Sequence, residues 1–240
     1  MKRVYLLVLV ICIAYFSTGC GLFFKNKDLG LKHLEEKYPD YTFTYSGSHD
    51  GKASCIVDGF DDRVVVRVYQ EDPLVLYDNF LYVRYRDQIL ESQVNIMEDI
   101  CSRLGVNDFN IATYGYEGWM RDGELTSNPL MSNQNALDCN TEYLSFDDFM
   151  ASPDSNNEFI GVVYIQDVAN VDREAVAEII SDVIEDSGCV FSLVRVDFTD
   201  DYEEFESTYN RRWTVYNYQL MLWGETDGEG QLINYTWTEH

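Results

Sequence analysis

Three features of the sequence predict an α+β fold: mainly antiparallel sheet, two principal helices and a C-terminal β-hairpin. Residues 87–104 and 172–185 carry apolar side chains at helical spacing, and each run ends near a glycine, Gly105 or Gly188, in the position of a C-terminal cap. Short runs of alternating apolar residues, separated by Asp, Gly, Asn and Ser, read as strands. Two long aromatic runs, 212–223 and 231–237, flank the turn-forming stretch from Glu225 to Gly230 and read as a hairpin.

Taken in order, residues 28–38 place Leu29, Leu31 and Leu34 among charges and predict a short helix stopped by Pro39. Strands are predicted at 41–45, 53–57 and 63–69, separated by turn formers at 46–51 and 58–62, followed by an extended piece at 74–83. The helix 87–104 leads to a strand at 109–114. Periodicity fades over 118–157, which reads as a boundary or long loop with one short helix at 145–150. A strand at 159–165, the helix 172–185 and a strand at 189–198 then suggest a crossover, either direct or with another strand between. The domain, 28–240, divides on this reading into subdomains at 28–117 and 158–240, joined by the irregular segment.

Ahead of these elements, Lys2 and Arg3 precede an apolar run of thirteen residues, Val4 to Phe16, and then the small residues Ser17, Thr18 and Gly19 before Cys20. This is the pattern of an export signal. A spanning helix needs roughly 20 apolar residues, so the run predicts no permanent transmembrane anchor. The tetrad Ser17-Thr18-Gly19-Cys20 resembles the lipobox of bacterial lipoprotein precursors, departing from it in having Ser17 where Leu is commonest. The resemblance implies lipidation of Cys20, removal of residues 1–19, and a lipidated tether at 20–27. It places the chain outside the cytoplasmic membrane, lipid-anchored to its outer face or facing the periplasm. Lys25 and Lys27 would lie near the headgroups.

The chain has 17 basic and 42 acidic residues, a formal charge of −25. So acidic a body is repelled by phosphate backbones and by anionic membrane surfaces, which excludes nucleic acid as a partner. A hydrophobic content of 46% can fill a core, and no Gly/Ser-rich linker interrupts the chain. Beyond the leader, Cys55, Cys101, Cys139 and Cys189 allow three disulfide pairings, but no spacing forms a compact framework or a CxxC site. Buried thiols are therefore expected.

Ser48-His49-Asp50 holds the residue types of a hydrolase triad, but consecutive residues do not converge from separate elements, and the segment reads as a turn. Glu225, Asp227 and Glu229, with Gly230, match the early positions of a calcium loop. Thr236 stands where the bidentate acid belongs, so calcium is the alternative to a solvated hairpin turn and no cofactor is otherwise predicted. Asp58, Asp61 and Asp62 form a second acidic turn. The aromatic hairpin supplies the candidate partner surface, with Arg212, Trp213, Tyr235 and Trp237 as its binding residues; alternation puts Met221 and Trp223 on one face and Leu220 and Leu222 on the other. These observations point to a non-enzymatic binding or interaction module of the cell envelope, anchored to a membrane and taking a protein or glycan partner. The rival readings are a glycan hydrolase using paired carboxylates and a calcium-stabilised structural protein.

Overall fold

The computed structural model describes residues 28–49, 52–61, 63–69, 75–113, 116–121, 124–129, 145–153, 155, 157–203, 205 and 218–239. Residues 1–27, and with them the leader, Cys20 and the tether, lie outside the described residues, as do Cys139, Arg212 and Trp213. The fold is α+β, with one antiparallel and one mixed sheet. Among the described residues, 28–84 belong to one compact unit and those from Tyr85 onward to the other. The division thus falls after Arg84, not within 118–157, because the long helix after it packs with the C-terminal half.

The first unit opens with helix α1, residues 28–37, followed by a four-stranded meander: β1 (Phe43–His49), β2 (Lys52–Val57), β3 (Arg63–Tyr69) and β4 (Val75–Asp78), paired in that order. Helix α2 (Phe80–Arg84) follows. Alternation buries Ala53, Cys55 and Val57 on β2 and Val64 and Val66 on β3. Gly30 lets α1 approach this face closely, since a Cβ there would stand 2.8 Å from the Cβ of Ala53. An aromatic cluster of Tyr38, Tyr41, Phe43 and Phe60 surrounds the fully buried Phe80.

Two expectations are corrected here. The predicted turn at 46–51 gives way to strand through His49, because a register shift between Tyr45 and Gly47 absorbs the irregularity. Ser46 Oγ pins that bulge by donating to the Ser54 carbonyl at 3.1 Å. The extended piece predicted at 74–83 is strand only to Asp78. There the Asp78 carboxylate accepts the Phe80 N–H at 3.0 Å and turns the chain into α2.

The second unit is a seven-stranded sheet in the order β11-β10-β9-β8-β5-β6-β7. Its elements are α3 (Arg86–Leu104), β5 (Phe109–Thr113), β6 (Tyr116–Arg121), β7 (Glu124–Pro129), α4 (Phe146–Met150), β8 (Glu158–Tyr164), α5 (Arg173–Ser187), β9 (Leu193–Thr199), β10 (Leu220–Thr226) and β11 (Leu232–Glu239). Strands β8 and β9 are parallel direct neighbours, so α5 makes the crossover with no strand between. Every other pairing in the sheet is antiparallel. Strands β6 and β7 occupy part of the stretch predicted to be irregular.

Helices α3 and α5 pack on each other and on one sheet face. On α3 the buried residues Leu90, Val94, Met97 and Cys101 recur at helical spacing, and Gly105 closes the helix in the left-handed region at φ 72°. On α5, Asp172 Oδ1 caps the first turn by accepting the Ala175 N–H at 3.2 Å, and Gly188 ends the helix at φ 68°. Gly161 on β8 makes room for Met97, whose Sδ would be 2.7 Å from an added Cβ. Among the described residues no helix is long and apolar enough to cross a membrane.

Candidate functional site

In the second unit, the end of α3, the entry to β5, the end of β8 and the start of α5 enclose an open cleft of about 1320 Å³. Local geometry sets each wall. After Gly105, the Val106 N–H returns to the Cys101 carbonyl at 2.9 Å and directs Asn107 and Asp108 along the rim. Tyr164, the last residue of β8, donates its N–H to the Asp108 carbonyl at 3.1 Å, and Ile165 donates to Thr199 at 2.9 Å. Thus β8 leaves the sheet level with its neighbours on both sides. A 3₁₀ turn, Val168–Asn170, leads to α5; the Asn170 amide donates to Asp167 Oδ2 at 2.9 Å and steadies the loop.

The lining is polar and acidic. Glu98, Asp108, Asp167 and Asp172 contribute carboxylates, Asn107, Gln166 and Asn170 contribute amides, and among the described residues no lining residue is basic. The field is legible at Cys101, also part of the lining: burial, then the charges of Asp108 and Glu98, push its thiol up to about 12. The cleft lies beyond the carboxyl end of β8 in a parallel pair, where strand-to-helix loops leave a natural crevice for ligands. Chemically it offers hydrogen-bond acceptors and negative potential, which suit a cationic group.

Of the residues predicted from sequence, Tyr235 is 45% exposed, while Trp237 is half-buried with its ring 5.9 Å from that of Phe198. Trp223 is 45% exposed, but it shares a face with Met221, opposite Leu220 and Leu222 as alternation predicted. Tyr235 lies over Gly224, on the other face from Trp223, so these two aromatics do not form one platform. The hairpin β10–β11 itself is present.

The acidic turn is occupied by its own backbone. Asp227 Oδ1 accepts the N–H groups of Glu229 at 2.9 Å and Gln231 at 3.0 Å, while Glu225 Oε1 accepts from Asn234 at 2.8 Å. Among the described residues no group of three or more His, Cys, Asp or Glu side chains is arranged to hold a metal. Ser48 and His49 end β1, and Asp50 lies outside the described residues. The cleft residues come from four separate elements, and in sequence they look like ordinary loop composition. The capping residues Gly105 and Asp172 are the signal that could have located two of its walls.

Compared with protein-family models, curated proteins and solved structures, the chain matches none.

Proposed function

We propose that the chain is an exported lipoprotein of the cell envelope, anchored through Cys20, that works as a non-enzymatic binding module and takes a cationic segment of a protein partner in its acidic cleft. The observation that carries the ligand class is the cleft itself, whose lining among the described residues has four carboxylates and no basic residue. Its volume of about 1320 Å³ exceeds the roughly 300–1,000 Å³ of small-molecule pockets, which favours a chain segment over a metabolite. The leader pattern from Lys2 to Cys20 supports export and anchoring.

The test is titration of the mature chain with a lysine-rich peptide, a neutral peptide of equal length and a panel of cell-envelope glycans. The expected result is saturable binding of the lysine-rich peptide alone, weakened by added salt and by Asp167→Asn with Glu98→Gln. Glycan binding, or peptide binding unchanged by those substitutions, would overturn this assignment of the cleft. Intact mass of the protein extracted from bacterial membranes tests the anchor, which predicts loss of residues 1–19 and an acylated Cys20.

A further inference from the structure

Strand β11 ends the seven-stranded sheet. Among the described residues only β10 pairs with it, so its outer edge presents the backbone groups to which a further strand could be added. Folded chains blunt such edges with charge, proline, bulges or a covering element. Here residues 232–238 carry no charge, in a chain of which 25% is charged. Two devices guard the first half of the strand. The register shift opposite Gly224 sets Asn234 and Tyr235 out as a bulge, with Asn234 at φ 51°. On α5, Ser181 Oγ accepts the Leu232 N–H at 3.2 Å. Neither device reaches the second half, where Arg173 of α5 meets the Glu239 carboxylate rather than the backbone.

The pairing also tells which way the backbone points. Leu232 stands opposite Thr226 and sends its N–H to Ser181, away from β10. Trp237 stands opposite Leu222, four residues from Thr226 along β10 and so in the same phase of the ladder. Its N–H and C=O therefore point out of the sheet edge as well. The Trp237 side chain shares the face of Leu222, while Thr236 and Thr238 lie on the opposite face beside Trp223 and Met221. Tyr235 is 45% exposed, and Thr236 and Glu239 are exposed too.

We propose that β11 is the interface of a homodimer, in which the edges of two copies pair antiparallel about Trp237 and join their sheets. This register sets Trp237 against its own copy, Thr236 against Thr238 and Tyr235 against Glu239, so the segment from Tyr235 to Glu239 is its own complement. No acid faces an acid. That matters in a chain with 42 acidic residues, since two copies repel each other over most of their surface and approach most readily along an uncharged run. Five paired residues from each copy fall short of the roughly 20–30 residues a side of a standard interface, so the dimer is weak and depends on concentration.

The test is sedimentation velocity of the unacylated mature chain over a concentration series at low and high salt. The expected result is a dimer that grows with concentration and is strengthened by salt, which screens the repulsion between acidic bodies. Thr236→Lys with Thr238→Lys sets lysine against lysine in both symmetry-related pairs and should weaken the dimer several-fold. Because these lysines lower the net negative charge, a general charge effect would act the other way. Thr236→Lys with Thr238→Glu sets lysine against glutamate in the same two pairs and should restore the dimer. Matching thermal midpoints of the two double variants, measured in the dilute monomer, keep a folding defect from passing for lost pairing. A native chain that stays monomeric throughout would overturn the proposal and leave the edge to a strand of another protein. A dimer indifferent to the two lysines, or a lysine–glutamate variant as weak as the lysine–lysine one, would overturn it as well.

Discussion

His33 on α1 places Nε2 2.8 Å from Oδ2 of Asp78, which sits on β4 with only 1% of its surface exposed. The same carboxylate takes Lys37 Nζ at 3.1 Å, the Tyr38 hydroxyl at 3.0 Å and the Phe80 amide at 3.0 Å. One buried anion thereby ties α1, β4 and α2 together. Burial works against its charge, but the hydrogen bond from His33, the Lys37 charge and the Phe80 amide outweigh it and hold the carboxyl below its ordinary value.

Asp78→Ala should therefore destabilise the first unit by about 3–5 kcal/mol, since it removes the buried carboxylate that His33, Lys37 and Tyr38 share and the α2 cap together. The sign of the pH dependence follows from the lowered pKa. The stabilisation is fully present above the ordinary carboxylate value of about 3.9 and is lost as pH falls through the lower folded value. Acid unfolding followed by circular dichroism should show this step in the native chain and not in Asp78→Ala. An unchanged acid limb would show that Asp78 is not the group responsible.

The secondary structure was largely legible because it rests on local rules. Helices α3 and α5 appear within two residues of their predicted ends, fixed by apolar spacing and by Gly105 and Gly188. Strand β3 has the predicted bounds, 63–69. What could not be read depends on contacts distant in sequence. Strands β6 and β7 lie outside the sequence prediction because their runs, Tyr-Glu-Gly-Trp-Met-Arg and Glu-Leu-Thr-Ser-Asn-Pro, alternate poorly and hold to the sheet in series, β6 through pairing with β5 and β7 through pairing with β6. Asp122-Gly123 between them is a local hairpin signal. The cleft and the Asp78 cluster were illegible for the same reason. His33 and Asp78 are 45 positions apart, and nothing local marks them as partners.

The buried thiols make a chemical prediction. Cys55, Cys101 and Cys189 are unpaired and buried. Burial, with Glu35 nearby, pushes the Cys55 thiol up to about 11, and Cys101 reaches about 12. A thiol must ionise to react, so iodoacetamide at pH 8 should leave Cys55 and Cys101 unmodified in the folded chain and modify both in denaturant. Peptide mapping distinguishes these sites from Cys139. Rapid labelling of Cys101 in the folded chain would mean that the cleft opens to its base.

Two glycines should respond differently to the same methyl group. At Gly224 an added Cβ would meet the Cβ of Tyr235 at 2.8 Å and the backbone of β11 at 3.0 Å, atoms that cannot move without shifting the hairpin. At Gly161 the clash is with Sδ and Cε of Met97, the far end of a flexible side chain. Overpacking typically costs about 1–3 kcal/mol. Gly224→Ala should fall at the upper end of that range and Gly161→Ala at the lower, as measured by denaturant midpoints at a common slope. The reverse order would mean that the α3 interface is stiffer than the bulged hairpin.

The last prediction concerns a charge pair inside the second sheet. Arg195 and Asp197 project from the β9 face opposite Val194, Val196 and Phe198, and their side chains form two bonds, at 2.9 and 2.7 Å. Asp197 is fully buried, and the Arg195 guanidinium lies 5.3 Å from the ring centre of Tyr218. Such a pair does not announce net stability, because desolvating both ions offsets their attraction. What the burial does dictate is asymmetry between single and double replacement. Arg195→Met takes two charge-assisted bonds from a carboxylate that has no solvent to turn to, and should cost about 3 kcal/mol. Arg195→Met combined with Asp197→Leu removes the buried charge as well, so the double variant should be more stable than Arg195→Met alone. Equilibrium unfolding of the single and double variants reads this directly, and a double variant worse than Arg195→Met would mean that Asp197 stabilises the sheet through its other neighbours.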